Sequence, residues 1–502
     1  MKFILSFFLC LLYLVAQAAT PFTEFYCNST GTNINAGSTT NAAATFSDAN
    51  GNWDAATGIF ICSGPSDLSG VAAGDWASVF VDGATTAVFI GRILTVVDAT
   101  DTITVSLTIK TGTAPSTAAT ARSIKVGGAW FGPWYSGATV DNLPFNFVNN
   151  LLTNTSQHST KVYLKNDRIY ATTNVVHSSN GPIMFEGYSD IPGDGGKTWI
   201  TGSTVGASST LFTLSGNNCV LSGFVLATNG ASGNSTLVIM SGGENVIYKS
   251  SVFYSRGTGL LLNNANLVIA TEVAFCNLNN SSDFYGLGLA STGAGAIGCV
   301  AHDNSGTGTS GFGLASGLVW MTDCISESNG RNGILVSSSA GAIIKNCSIY
   351  NNSTNGINFT STSALLGVVE NCAFFQNGVG KSDAYAINSS GSLLRNGMVI
   401  NCAFGTGTAT NGSGGANILP GTGLYEIGSI GLAADVLPWV DAANGNFTLT
   451  NTSSLINAGR GTFTQTAPGY GGTVSYPDIG AAQITNSAAG TTTVIAYPIF
   501  RR

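Results

Sequence analysis

The sequence predicts an all-β fold in which a right-handed parallel β-helix of about a dozen coils follows a small N-terminal β-barrel or sandwich. Three observations lead to this prediction. From about residue 210 onward, the chain repeats itself with a period of about 24 residues. The repeats show the alternation of short strands and no helical pattern. Polarity comes from uncharged side chains, since only 9% of the residues are charged whereas 44% are hydrophobic.

The repeat is clearest where segments such as MTDCISESNGRNGILVSSS and IKNCSIYNNSTNGINFTST align. The equivalent cysteines are Cys276, Cys299, Cys324, Cys347, Cys372 and Cys402. We expect them to form an inward ladder of small apolar side chains rather than a set of disulfides. Asn346, Asn371 and Asn401 each precede a cysteine and predict a polar ladder at the adjacent turn.

Three short parallel strands per coil would satisfy the backbone groups between coils stacked about 4.8 Å apart. The N-C-x-[IF] and N-G-I elements resemble the parallel β-helix repeat family, which includes pectate-lyase-like solenoids and bacterial or phage-encoded extracellular proteins. The stretch Phe447 to Gln483 resembles the last coil and cap of such proteins. The resemblance covers roughly residues 125–485 and implies the fold, but it assigns no catalytic residue.

The chain divides into four predicted parts. Residues 1–18 combine Lys2, an apolar run and Ala16-Gln17-Ala18, which is typical of a signal peptide and predicts a secreted, extracellular, cell-surface or virion-surface protein. Residues 19–122 are expected to form the N-terminal β domain, and residues 123–485 the β-helix with its capping segments. Residues 486–502 form an apolar tail that could join a neighbouring subunit or pack on its own solenoid.

Two features of the first parts concern packing. Cys27 and Cys62 lie in the same N-terminal region and could form one disulfide. Residues 144–154 could form a short amphipathic helix that caps the first coil.

The net charge of −7 argues against nucleic acid and anionic membrane surfaces as partners.

The best candidate site is a column of side chains beside the cysteines. If each cysteine faces inward, the residue three positions later faces outward, which selects Asn279, His302, Glu327, Tyr350 and Phe375. Asp303 and Glu327 would lie on adjacent coils, where paired carboxyl groups could hydrolyse a glycosidic bond. His302 could act as a base. The competing interpretation is a set of polar residues scattered over an outward face.

Further candidates each have a structural alternative. Three aromatic residues could stack on sugar rings, namely Trp130, Trp134 and Tyr135, although an aromatic cluster that caps the first coil is the commoner role. In the column, Asn279 and Tyr350 could contact a ligand. A lyase would need a basic residue near carboxylates, and Lys345 and Glu370 instead fit an ion pair between coils.

The loop at 185–197 gathers Glu186, Asp190 and Asp194. Calcium favours such oxygen ligands, but the D-x-D-x-D-G spacing is absent, so a structural excursion is the preferred interpretation. We therefore predict no cofactor or metal, with Ca²⁺ as the open alternative.

Two function classes follow. The first is a secreted, non-enzymatic structural or adhesive protein (a surface fibre, adhesin or spike) that binds an extracellular glycan or associates with itself. The second is a polysaccharide-degrading enzyme, either a glycoside hydrolase or a polysaccharide lyase, that acts from an outward face of the solenoid. The low charge and the small residues of the repeats favour the first class.

Overall fold

A computed structural model describes 28 segments of the chain. They are residues 23–27, 44–81, 89–112, 119–127, 160–167, 169–172, 175–177, 183–202, 210–215, 219–227, 236–241, 244–247, 252–255, 258–263, 267–271, 274–277, 284–304, 306–337, 341–360, 366–379, 385–388, 397–406, 424–433, 437–444, 446–450, 453–455, 483–486 and 492–495. Outside them lie the predicted signal peptide, the expected capping helix, and the candidates Trp130, Trp134, Tyr135 and Asn279.

The first compact unit, residues 1–199 and 216–221, contains a closed antiparallel barrel. After β1 (Thr23–Cys27), its strands are β2 (Phe46–Asp54), β3 (Ile59–Ile61), β4 (Trp76–Val81), β5 (Phe89–Val97), β6 (Thr102–Gly112) and β7 (Ala119–Val126), in the order β2-β3-β6-β5-β4-β7. A 3-10 turn, Asp98–Thr100, joins β5 to β6. Trp53 and Phe89 pack in the barrel core with ring centroids 5.6 Å apart. The sequence predicted a small β-barrel or a sandwich for this region, and the structure confirms the barrel.

Cys62 is a buried free thiol of the barrel core. The disulfide with Cys27 that the sequence allowed is therefore wrong. Burial in an apolar environment disfavours the thiolate and raises the pKa of Cys62 above its ordinary value. Cys62 thus contributes to the barrel as a small apolar side chain.

The same unit also contains parallel strands of the solenoid type. They are β8 (Thr160–Lys165), β9 (Ile169–Thr172), β10 (Val175–His177) and β11 (Ile183–Tyr188), with β12 (Thr198–Gly202) and β14 (Cys219–Ser222) at the boundaries of the unit. Strand β1 pairs in parallel with β8, and β8 pairs in parallel with β11. The strand that precedes the barrel in sequence therefore belongs to a solenoid sheet, although it lies within the range expected for the N-terminal domain.

The second unit, residues 200–215 and 222–502, is a stack of parallel coils. Its strands are β13 (Phe212–Leu214), β15 (Phe224–Ala227), β16 (Val238–Met240), β17 (Glu244–Ile247), β18 (Val252–Ser255), β19 (Leu260–Asn263), β20 (Leu267–Thr271), β21 (Ala274–Asn277), β22 (Tyr285–Ala290), β23 (Gly295–Ile297), β24 (Val300–His302), β25 (Ser310–Leu314), β26 (Leu318–Thr322), β27 (Ile325–Glu327), β28 (Ile334–Val336), β29 (Gly341–Lys345), β30 (Ser348–Tyr350), β31 (Ile357–Phe359), β32 (Leu366–Glu370), β33 (Ala373–Phe375), β34 (Ile387–Asn388), β35 (Gly397–Ile400), β36 (Ala403–Thr406), β37 (Leu424–Ile427), β38 (Ile430–Ala433), β39 (Trp439–Asp441), β40 (Asn446–Leu449), β41 (Gln483–Asn486) and β42 (Thr492–Ile495).

Three parallel sheets run along this stack. Sheet I has the order β17-β20-β23-β26-β29-β32-β35-β37, and sheet II has the order β13-β16-β19-β22-β25-β28-β31-β34. Sheet III has the order β15-β18-β21-β24-β27-β30-β33-β36-β38. Through β34 each full coil contributes one strand to each sheet, whereas the last two described coils contribute only to sheets I and III, and each strand of a sheet pairs with the strand one coil away in the sequence. The all-β parallel solenoid predicted from the repeat is confirmed.

The cysteine ladder faces the interior as predicted. Cys299, Cys324, Cys347, Cys372 and Cys402 are buried free thiols, at most 1% exposed. The residue before each cysteine forms the turn from sheet I to sheet III and adopts the left-handed conformation: Asp323 has φ +55°, Asn346 +50°, Asn371 +53° and Asn401 +47°. Asparagine and aspartate tolerate this conformation better than other non-glycine residues, which explains their recurrence at the turn.

Asp323 is the one acid in the described part of this turn ladder. Burial raises its pKa to about 6, although the hydrogen bond from Asn346 Nδ2 to Asp323 Oδ1, 3.2 Å long, opposes the rise. Because the folded state favours the protonated carboxyl group of Asp323, this group does not reduce the free energy of unfolding below the ordinary carboxyl pKa. The free energy of unfolding then falls as the pH rises from that value through about 6. We expect Asp323→Asn to raise the free energy of unfolding at pH 7 by about 3 kcal/mol and to have little effect at pH 4.

Urea unfolding at both pH values measures this difference. Asn371→Asp is the reverse control, because it places a carboxyl group at an equivalent buried turn position, and we expect it to lower stability at pH 7. An Asp323→Asn gain that is the same at pH 4 and pH 7 would contradict the role of the carboxyl charge.

A second ladder of asparagines lies inside the solenoid. It consists of Asn304, Asn329, Asn352 and Asn377, which are 0 to 1% exposed. Asn304 Nδ2 donates to Asn329 Oδ1. Asn329 Nδ2 donates to Asn352 Oδ1 at 2.7 Å, and Asn352 Nδ2 donates to Asn377 Oδ1 at 2.8 Å. The side-chain amide of each of the first three asparagines thus donates a hydrogen bond to the asparagine of the next coil. This buried column of hydrogen bonds holds the coils in register.

The C-terminal part of the described chain leaves the coil pattern. Strands β39 and β40 form an antiparallel pair around a 3-10 turn, Ala442–Asn444. Strand β42, in the predicted tail, pairs in an antiparallel hairpin with β41, which lies at the end of the range predicted for the β-helix. No helix in the described segments is long and apolar enough to cross a membrane.

Candidate functional site

The predicted column lies on sheet III in the expected register. His302 pairs with Glu327, Glu327 with Tyr350, and Tyr350 with Phe375, through β24, β27, β30 and β33. Side chains alternate along each strand, so Cys299 and Ala301 face the interior while His302 lies on the opposite face. The structure therefore brings His302, Glu327 and Tyr350 together on consecutive coils.

The column is not open to solvent. His302 is 1% exposed, Glu327 0%, Tyr350 5% and Phe375 0%. The expectation that these outward side chains line an accessible face is therefore wrong. Each side chain points outward from the solenoid interior, as the repeat predicts, but a segment from outside the repeat packs on this face.

A segment near the C-terminus covers sheet III. Trp439 packs against Tyr350 and Phe375, with ring centroids 5.8 Å and 5.1 Å apart, and Phe447 packs 5.9 Å from Tyr350. The same cluster of buried residues contains Val300, Ile325, Ala373, Ala403, Ala442, Leu449 and Leu455. Because Val300 and Ile325 lie on the strands of His302 and Glu327, the cluster extends to the coils of both candidate residues. Strands β39 and β40 thus give this outward face a hydrophobic core of its own.

His302 and Asp303, two of the candidate catalytic residues, contact each other directly. His302 Nδ1 lies 3.0 Å from Asp303 Oδ2, and 39% of the Asp303 side chain is exposed. His302 Nε2 is buried and has no hydrogen-bond partner among the described residues. Asp303 itself lies in the turn after β24, with φ +54°. Only the aspartate of this pair is therefore within reach of solvent.

The carboxyl group of Glu327 is enclosed. Its Oε1 accepts a hydrogen bond of 3.5 Å from Ser328 Oγ. A general acid or nucleophile must contact the sugar that it acts on, and a fully buried carboxyl group cannot do so. The catalytic role of Asp303, Glu327 and His302 stays a prediction, and this closed arrangement does not favour it.

The lyase candidates form the ion pair that the sequence suggested. Lys345 and Glu370 are register partners on β29 and β32, and Lys345 Nζ lies 2.7 Å from Glu370 Oε2. The two side chains are 46% and 18% exposed. Each charge thus neutralises the other on the surface of sheet I.

The loop after β11 is organised by Asp194. Its carboxylate accepts hydrogen bonds from the backbone N–H groups of Ser189, Asp190, Ile191 and Gly196, at 2.7 to 3.1 Å. Desolvation opposes the ionised form, but the backbone donors outweigh it and lower the pKa of Asp194 to about 2. The carboxylate thus closes the loop on itself, in keeping with a structural excursion. Among the described residues, no group of three His, Cys, Asp or Glu side chains could hold a metal ion.

Comparisons with known proteins bear on the solenoid. The family model "Right handed beta helix region" matches residues 270–422. A search of curated proteins found no match. Among solved structures, the chain is similar to "Crystal structure of pectate lyase Pel9A", at 18% identity over 64% of this chain and 87% of that chain, with a TM-score of 0.42. This similarity assigns no activity. The family model and the stacked parallel coils identify residues 270–422 as a right-handed β-helix region.

Proposed function

We propose that the chain is a secreted, non-enzymatic structural or adhesive β-helix protein, such as a surface fibre, an adhesin or a spike. The observation that carries this proposal is the closure of the candidate column. Glu327 and His302 are 0% and 1% exposed, and Tyr350 packs beneath Trp439. A face filled with aromatic and aliphatic side chains stabilises a rod, whereas a glycosidase or lyase needs its acid and base open to the polymer.

The interior supports the same proposal. Stacked thiols and the asparagine ladder link consecutive coils by repeated contacts, so that each coil supports its neighbours. Export rests on the signal-peptide pattern of residues 1–18. A stiff extracellular solenoid would act by presenting its outer faces to a glycan or to another copy of the chain.

Turnover measurements test the proposal. The mature wild-type protein and Glu327→Gln are incubated with a panel of acidic and neutral polysaccharides, with and without calcium. New reducing ends and the absorbance of unsaturated uronate report hydrolase and lyase activity. We expect no product from either protein. Turnover by the wild type that Glu327→Gln abolishes would replace the structural proposal with a polysaccharide-degrading enzyme.

A further inference from the structure

Trp320 is an outward tryptophan that the solenoid core does not use. It lies on β26 between Val319 and Met321, which face the interior and are 0% and 1% exposed. The Trp320 side chain itself is only half-buried. A large aromatic group that projects from a sheet whose interior is already filled calls for a different explanation from packing in the core.

The ring of Trp320 lies flat on the neighbouring coil. Its register partner is Gly295 on β23, and a Cβ atom added to Gly295 would lie only 2.1 Å from Trp320 Cε2. Trp320 Nε1 donates a hydrogen bond to the carbonyl oxygen of Gly293 at 3.2 Å. Bare glycine backbone thus supports one face of the ring, and the hydrogen bond fixes its direction. An aromatic platform held in this way loses little further side-chain entropy when a ligand stacks on it.

A polar column runs beside this platform. Thr322 lies two residues after Trp320 on the same face, and its register partner one coil later is Lys345, followed by Glu370. The ammonium and carboxylate groups of the last two form the 2.7 Å ion pair described above, with Lys345 46% exposed. The column therefore offers hydrogen-bond donors and acceptors with no net charge.

We propose that Trp320, Thr322, Lys345 and Glu370 form a binding site for a neutral glycan. The apolar C–H face of a sugar ring stacks on the indole, and its hydroxyl groups bond to the hydroxyl, ammonium and carboxylate groups of the column. Charge complementarity selects a neutral chain: Glu370 already neutralises Lys345, and the net charge of −7 disfavours a polyanion. The site deepens the adhesive form of the proposed function and rests on it.

Binding of the full-length mature protein to immobilised neutral polysaccharides (a β-glucan, a mannan and a galactan) and anionic ones (polygalacturonate and alginate) tests the site. We expect the wild type to bind at least one neutral polymer, and Trp320→Ala to bind it at least tenfold more weakly. Gly295→Ala keeps the tryptophan but displaces its ring, and we expect a similar loss. Trp199→Ala is the matched control, because Trp199 is 40% exposed on another strand, and we expect its binding to match the wild type.

Thermal melting of each variant distinguishes lost binding from lost folding. Trp320→Phe keeps an aromatic ring and should retain part of the affinity for the neutral polysaccharide. Equal binding by Trp320→Ala and the wild type, binding of anionic polymers alone, or no binding at all would overturn the site. Product formation in the same samples would instead overturn the non-enzymatic function, so the two failures are distinguishable.

Discussion

Replacing Asn352 with alanine is expected to lower the free energy of unfolding by roughly 3 kcal/mol. Asn352 Oδ1 accepts hydrogen bonds from the side chain and the backbone N–H of Asn329, and its Nδ2 donates to Asn377 Oδ1 and to Ser326 O. Alanine leaves these buried partners unsatisfied on two neighbouring coils, which costs more than the loss of a single exposed hydrogen bond. Urea unfolding gives the magnitude.

Hydrogen exchange locates the effect. Because each coil contacts only its neighbours, protection should fall first in the amides around Asn329, Asn352 and Asn377. Asn358→Ala is the matched control, since Asn358 is half-buried on the outer face of β31, and we expect a change within about 0.5 kcal/mol. Equal effects of the two substitutions would contradict the structural role of the inner ladder.

Replacing Trp439 with alanine is expected to cost roughly 3–5 kcal/mol in the packing of the covering segment. The ring is 3% exposed and packs against Tyr350, Phe375 and Phe447 with centroids 5.1 to 5.8 Å apart. We expect strands β39 and β40 to detach while the coils remain folded, because the coils have a separate interior. Limited proteolysis should then cut within residues 437–455 at a protease concentration that leaves the wild type intact.

Val440→Ala is the control for this prediction. Val440 is adjacent in sequence but 56% exposed, so its truncation should leave the proteolysis pattern unchanged. Resistance of Trp439→Ala equal to that of the wild type would show that the cover does not depend on this ring.

The solenoid could be predicted from sequence because its repeat acts on every coil. Cys324, Cys347 and Cys372 recur at a spacing near the length of one coil, and the residue before each must adopt a left-handed turn. The register of His302, Glu327 and Tyr350 followed directly from the same spacing. Local periodicity therefore fixed both the fold and the direction of side chains.

The inner asparagine ladder was also visible in the sequence but was not recognised. Each member stands five residues after a ladder cysteine, as in CVAHDN, CISESN, CSIYNN and CAFFQN. The signal is regular, but asparagine is common in turns, so the residue type alone does not indicate a buried position. The identity of asparagine at four equivalent positions, each one residue after a turn, was the clue to a buried ladder.

The burial of the candidate column could not be predicted from the repeat. The cover over Tyr350 and Phe375 comes from Trp439 and Phe447, which are distant in sequence and follow no period. Gly295 lies one repeat before Trp320, so the repeat places the two residues side by side, but only the structure shows that the indole lies against this glycine. The contacts of Trp439 and Phe447 join segments that no local pattern links, so only the three-dimensional arrangement reveals them.

Hydroxyl-radical footprinting of the native protein tests the central claim, that the candidate column is closed to solvent and that the C-terminal segment packs over its Tyr350 and Phe375 part. We expect His302, Tyr350 and Trp439 to be protected, since they are 1 to 5% exposed, while Trp199, at 40%, is oxidised readily. Oxidation of His302 and Tyr350 at rates close to that of Trp199 would contradict the account, because it would place the candidate acid and base on an open face.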